Sequence, residues 1–209
     1  MMPPVTQASS VTRGSSVTQG GRRDAVRNYH RILDAARDVL GESGAEASME
    51  EIATRAGVGV GTVYRRFASK DALIDELVRL VMEEVTAAAD QALTRDDGHG
   101  LEEFLRALGQ SFADHARYAD LMLERPVSPG ATERLRAAVA ELTARAVTAG
   151  TVGPGITAAD VMALVRALRG LVQATPAPAP ELPPQDWQRF LGMHLAGMRA
   201  AHSFGPSCL

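Results

Sequence analysis

The chain has 209 residues, 45% of them apolar, enough to bury a sizeable core. A formal net charge of −3 argues against a uniformly basic nucleic-acid coat and against an acidic solvating tail. The single cysteine, Cys208, excludes an internal disulfide, a CxxC redox pair or a thiolate zinc cage within one chain.

No apolar run reaches the ~18–20 residues that span a bilayer. The opening MMPPVTQASS has neither a basic start nor an apolar stretch of signal-peptide type, so the sequence reads as a soluble cytoplasmic protein. Charge is unevenly spread. Residues 21–70 carry nine basic against seven acidic side chains, whereas residues 71–209 carry 12 against 18. This split fits one end that meets a polyanion and another that does not.

Residues 1–21 hold small, polar and turn-forming residues, with SSVTRG echoed by SSVTQG, and read as a disordered arm. Apolar residues then recur at helical spacing almost to the end. Ile32, Ala36, Val39 and Leu40 mark a first helix that stops near Gly41–Gly44. Ser48-Met49-Glu50-Glu51 has the form of a capping box and opens a short helix that buries Ile52, Ala53 and Ala56 before Gly57. The next segment, Val60 to Arg66, is only about two turns long and must lean on neighbours through Val58, Val63 and Phe67. Ser69 caps a long helix with Leu73, Leu77, Val81 and Val85 on its inward stripe.

Further stripes follow at Leu101–His115, at Leu135–Ala146, at Val161–Val172 and, beyond the Pro-rich Thr175–Pro184, at Trp187–Met198. No stretch alternates with period two, so the expected fold is all-α.

The stretch SMEEIATRAGVGVGTVYRRFASK (Ser48–Lys70) describes two short helices around a Gly-containing turn, a helix-turn-helix. Once Val63 and Phe67 are assigned to the underside of the second helix, Val60, Gly61, Thr62, Arg65 and Arg66 face outward, with Tyr64 at the edge. That surface suits a DNA major groove. Arginine reaches guanine O6 and N7, a methyl group meets that of thymine, and Gly61 permits close approach. Tyr64 and Lys70 suit phosphate oxygens.

The string VGVGTVYRRFASKDAL (Val58–Leu73), following a helix that ends in Gly44, resembles the N-terminal domain of TetR-family transcriptional regulators. Gly61, Thr62, Val63, Tyr64, Phe67, Ser69, Lys70 and Leu73 match the family pattern. The resemblance covers about residues 24–80, and the later helices resemble the family only in number and order. It implies about nine helices in three parts: an arm over 1–21, a helix-turn-helix domain over 22–70, and a helical ligand-binding and dimerisation domain over 71–209. By position, it carries DNA contacts to Ser48, Val60, Gly61, Thr62, Tyr64, Arg65, Arg66 and Lys70. Gly59 departs from the Ser or Thr that many members place before the recognition helix, at a cost of only a few tenths of a kcal/mol.

The resemblance further implies a homodimer paired through the last two helices. Leu168, Leu171, Trp187, Leu191, Leu195 and Met198 are the candidate seam, and Gly170, Gly192 and Gly197 would allow close approach. Phe104, Leu108, Phe112, His115, Met122 and Met162 are candidates for a pocket that takes a small, largely apolar effector. The implied function is a regulator, usually a repressor, that releases a pseudopalindromic operator on binding that effector.

No cofactor, metal site or catalytic set is expected. Glu-x-x-His pairs, HExxH, a Walker loop and GxSxG are all missing, and the five histidines lack metal-ligand spacing. The competing expectation is a helical ligand- or partner-binding protein that does not bind an operator.

Overall fold

The computed structural model describes residues 16–123, 125–173 and 186–201. Its α-helices are α1 (Ser16–Ser43), α2 (Met49–Ala56), α3 (Val60–Arg66), α4 (Lys70–Leu93), α5 (Gly100–His115), α6 (Ala119–Leu123), α7 (Pro129–Thr148), α8 (Ala158–Gln173) and α9 (Asp186–Ala200). Short 3-10 turns lie at Gly44–Glu46 and Ala116–Tyr118, and no strand occurs among the described residues. The fold is all-α, as the periodicity predicts. No helix among the described residues is long and apolar enough to cross a membrane.

The expected arm over 1–21 is corrected at its C-terminal end, because α1 already begins at Ser16. An anchored helix can extend without paying for a new nucleus, so the polar residues 16–21 continue it. Residues 1–15, the whole Pro-rich connector Thr175–Pro184 and Cys208 lie outside the described residues.

Two hydrophobic cores organise the chain. The first joins Ile32, Leu33 and Leu40 of α1, Ile52 of α2, Val63 of α3, Phe67, and Leu73, Ile74, Leu77 and Val78 of α4. The second joins Val85 and Ala89 of α4 to α5, α7, α8 and α9. One continuous helix therefore serves both cores, and the first reaches past residue 70 into two further turns of α4. Tyr118, from the 3-10 turn after α5, is buried in the first core, so the larger half also packs against the smaller one. Gly109 shows how tightly the second core is closed. A Cβ there would lie 2.4 Å from Trp187 Cζ3, so the indole of α9 packs on bare α5 backbone.

That packing overturns most of the expected dimer seam. Leu168, Trp187, Leu191 and Leu195 are 0–8% exposed in the single chain and belong to its own second core. Leu171 and Met198 are half-buried against the same core. A helix at the edge of a bundle has one strong apolar stripe, and that stripe goes to its own subunit first.

The expected pocket residues are likewise dispersed. Phe104 and Leu108 are buried in the second core, and Phe112 and Met162 pack against it. Met122 packs against the first core instead. His115 Nδ1 lies 2.6 Å from the Ser111 carbonyl, within its own helix turn. These six side chains do not converge on one cavity.

Candidate nucleic-acid interface

The interface is built from short-range rules. Ser48 and Glu51 form a reciprocal cap: Glu51 N–H donates to Ser48 Oγ at 3.2 Å, and Ser48 N–H donates to Glu51 Oε2 at 2.8 Å. These bonds hold the Glu51 carboxyl below its usual range, led by the backbone bond from Ser48. At the other end of α2, Gly57 takes φ +63° and its N–H donates to the carbonyls of Ala53 and Thr54. The chain then turns through Gly59, the uncapped N-terminal boundary of α3.

Within α3 only Val63 is buried, at 0% exposure, and Phe67 follows it into the core at 5%. These two side chains anchor the helix from below. Val60 and Tyr64 are large apolar or aromatic groups left exposed, at 39% and 46%. Gly61 and Arg65 are exposed beside them, Thr62 is half-buried, and open space surrounds Gly61. Arg65 Nη2 donates to Thr62 Oγ1 at 3.1 Å, which aligns the guanidinium along the helix. Val60, Gly61, Tyr64 and Arg65 thus form an outward face a groove of DNA can meet, with Thr62 at its margin.

Three expected contacts have other partners. Ser48 spends its hydroxyl on the cap, donating to Glu51 Oε2 at 2.9 Å while accepting the Glu51 amide. Lys70 Nζ donates to the carbonyls of Ala45 at 2.5 Å and Ala47 at 3.0 Å, tying the first turn of α4 to the loop before α2. Two of its three donors are therefore taken. Arg66 is exposed but stacked, with its guanidinium carbon 4.6 Å from the Tyr29 ring centroid and 5.7 Å from that of Phe67.

Tyr29 is the supporting residue that sequence reasoning missed. Its ring lies 6.1 Å from that of Phe67, and its hydroxyl donates to Glu76 Oε1. Glu76 also accepts from Arg79 Nε at 2.7 Å and Nη2 at 2.9 Å. Arg79, and then the Tyr29 hydroxyl, hold the Glu76 carboxyl at about 2 against the opposing effect of burial. The available signal was position: Tyr29 stands three residues before Ile32, at the head of the inward stripe of α1.

A separate groove of about 650 Å³ runs between α4 and the start of α7, lined by Asp75, Arg79, Met82, Glu83, Asp90 and Arg134 among others. Its walls mix those charged groups with apolar ones such as Val78, Pro126 and Val127, and none of the six side chains expected to form a pocket, Phe104, Leu108, Phe112, His115, Met122 and Met162, is among its lining residues.

Comparison with known proteins decides the family. A sequence profile of bacterial regulatory proteins of the tetR family matches residues 32–77. A profile of the C-terminal domain of SbtR-like transcriptional regulators matches residues 96–200, half of the chain. The crystal structure of a TetR transcription regulatory protein from Mycobacterium vanbaalenii is 33% identical, with a TM-score of 0.57 over 75% of this chain and 99% of that one.

The chain belongs to the TetR family.

The TetR regulator SCO0520 from Streptomyces coelicolor is 26% identical, with a TM-score of 0.60 over 81% of this chain and 97% of that one. Among curated relatives, the uncharacterized HTH-type regulator YvdT of Bacillus subtilis is 34% identical over 100 residues, 46% of this chain. The chain spans only 49% of YvdT and 29% of a Staphylococcus aureus HTH-type regulator that it also matches. As a TetR-family member the protein is a transcriptional regulator with a helix-turn-helix DNA-binding domain, and its relatives are regulators rather than enzymes.

Proposed function

We propose that the protein is a cytoplasmic homodimeric repressor that binds a pseudopalindromic operator through α3 and releases it when a small effector binds the larger half. The observation that carries this is the exposed face Val60–Gly61–Tyr64–Arg65, held out by the fully buried Val63. In this reading the helix-turn-helix unit over 22–70, extended by the first turns of α4, reads DNA. The helical remainder of 71–209 binds the effector and dimerises. Arg65 reads a base edge, Val60 and Gly61 line the close approach, and Tyr64 touches the backbone.

Dimerisation is assigned to the faces of α8 and α9 that point away from the core. Ala163, Ala167 and Gly170 are exposed on α8, and Met193 and Gly197 on α9, with Met193 57% exposed. Open space surrounds Gly170 and Gly197, which suits close approach of a second copy. Two recognition helices would then meet half-sites one helical turn apart, about 34–36 Å. An effector that binds the spread state more tightly than the DNA-competent one would shift the population off the operator.

Selection of bound duplexes from a random pool, followed by an electrophoretic shift, tests this. The expected winner is a two-fold symmetric site with half-sites about 10 base pairs apart between centres. A pool that yields no enriched sequence rejects operator binding and leaves a ligand- or partner-binding role.

A further inference from the structure

We infer that the groove between α4 and the start of α7 is the effector site, and that it takes an elongated organic dication with an apolar body. This rests on the reading of the larger half as effector-binding and names the ligand class for it. The apolar interior of that half is packed, with Phe104, Leu108 and Leu168 at 0–4% exposure. The groove, at about 650 Å³, has the size of a small-molecule site. It follows one face of α4 from Asp75 to Asp90, about 22 Å of helix. Burial separates its floor from its rim. Val78, Met82, Thr86, Val127 and Ala131 are buried or half-buried and make the floor, where Thr86 spends its hydroxyl on the Met82 carbonyl at 2.7 Å. Asp75, Arg79, Glu83 and Asp90 stand exposed along the α4 rim, and Arg134 stands exposed on α7.

The lining sets three carboxylates against two guanidinium groups. Those carboxylates are lightly held. Glu83 accepts one hydrogen bond, from Arg79, which Glu76 also holds; Asp90 accepts one, from Arg134 at 3.3 Å; and Asp75 lies 3.6 Å from Arg125 Nε. All three are 53–61% exposed, and such pairs contribute little and yield to a competing cation. Eight residues separate Asp75 from Glu83 and seven separate Glu83 from Asp90, so the carboxylates stand about 12 and about 10.5 Å apart along the helix. A ligand with cationic ends about 11 Å apart can lay its apolar body on the floor and meet two of them. Val78 belongs to the first core, Met82 and Val127 pack against it, and Ala131 and Arg134 belong to α7, whose buried side lies in the second core. A ligand in the groove therefore touches both halves at once.

The probes are octamethylenediamine, whose ammonium groups stand about 11 Å apart when extended and so match that spacing, octylamine with one positive charge, and suberate with two negative ones. Each is titrated calorimetrically into the full chain as wild type, Glu83→Gln, Asp90→Asn and the double variant, and then into the complex of each with the selected duplex. The diamine should bind wild type about fivefold more tightly than octylamine does, and each single variant should lose about fivefold in diamine affinity. Suberate should not bind. The diamine should release wild type from its duplex at concentrations that leave the double variant bound, a comparison that cancels the diamine's own screening of DNA. Absent diamine binding, suberate that binds as tightly, or a diamine affinity unchanged in both single variants overturns the dication site. A diamine that binds as expected without weakening the wild-type complex overturns the effector reading and leaves the groove a cation site, so the two failures are distinguishable.

Discussion

Glu76 is a carboxylate with its charge secured on two sides, by Arg79 and by the Tyr29 hydroxyl. Its folded value of about 2 lies below the ordinary 4.5, so ionised Glu76 favours the folded state. That contribution is complete above about pH 4.5 and is lost as pH falls from there toward 2. Glu76→Gln should therefore flatten the acid limb of a stability-versus-pH curve in that window, measured by denaturant midpoints. An acid limb unchanged from wild type would contradict the pairing. Because Tyr29 carries Arg66 on its ring, the same substitution should also loosen Arg66.

Lys70 makes a different point at this scale. Its position in the Ser-Lys-x-x-Leu step resembles a phosphate contact, yet its ammonium holds two carbonyls about 25 residues back in the chain. Lys70→Ala should thus lower stability by about 1–2 kcal/mol in chemical denaturation, in addition to any loss of DNA affinity. An unchanged denaturation midpoint would return Lys70 to a purely DNA-facing role. The sequence could not reveal this, since Ala45 and Ala47 offer only backbone carbonyls and leave no side-chain signature. The Ser48–Glu51 cap was legible because both partners sit within four residues.

At the scale of elements, α3 is the weak link and the informative one. Seven residues with one buried side chain cannot stand alone, and the helix persists because Val63 and Phe67 dock on α1, α2 and α4. Gly59 leaves its first turn uncapped at φ −68° and ψ 141°, a conformation open to any residue, and a Cβ there meets nothing within 4 Å. Gly59→Ser should therefore stabilise the protein by about 0.5–1 kcal/mol, combining a new cap with a less flexible unfolded chain. A lower melting temperature would show that the Gly59 backbone needs freedom this geometry does not display.

Periodicity served well for such local questions. It located the inward stripes of α3, α4 and α5 and placed Val63 and Phe67 under the recognition helix. It left open what covers Leu168, Trp187, Leu191 and Leu195, which the family resemblance placed in a dimer seam, because a stripe announces that a face is covered without saying by which chain. It also failed on Met122 and His115, whose neighbours depend on how the turn after α5 folds back onto the first core.

For the whole molecule, the shared helix α4 is the main link between the halves. Its N-terminal turns lie in the first core and its C-terminal turns in the second, which is the route the proposed effector response would take. Arg125, from the connection between α6 and α7, pairs with Asp71 in the first turn of α4 and adds to the link that Tyr118 makes between the halves. The outward faces of α8 and α9 make a separable prediction. Ala167→Glu with Gly197→Glu should give folded monomers by sedimentation and abolish cooperative binding to a two-half-site duplex. A dimer that survives both charges would move the interface elsewhere.

The central claim is that Arg65, on the exposed face of α3, reads a base. Affinities of wild type and Arg65→Ala should be measured against the selected duplex and its three variants at the contacted base pair. The account predicts that wild type discriminates by about 1–3 kcal/mol at that pair and that Arg65→Ala loses this preference while still binding DNA. Undiminished discrimination by Arg65→Ala at every position of the half-site would contradict it.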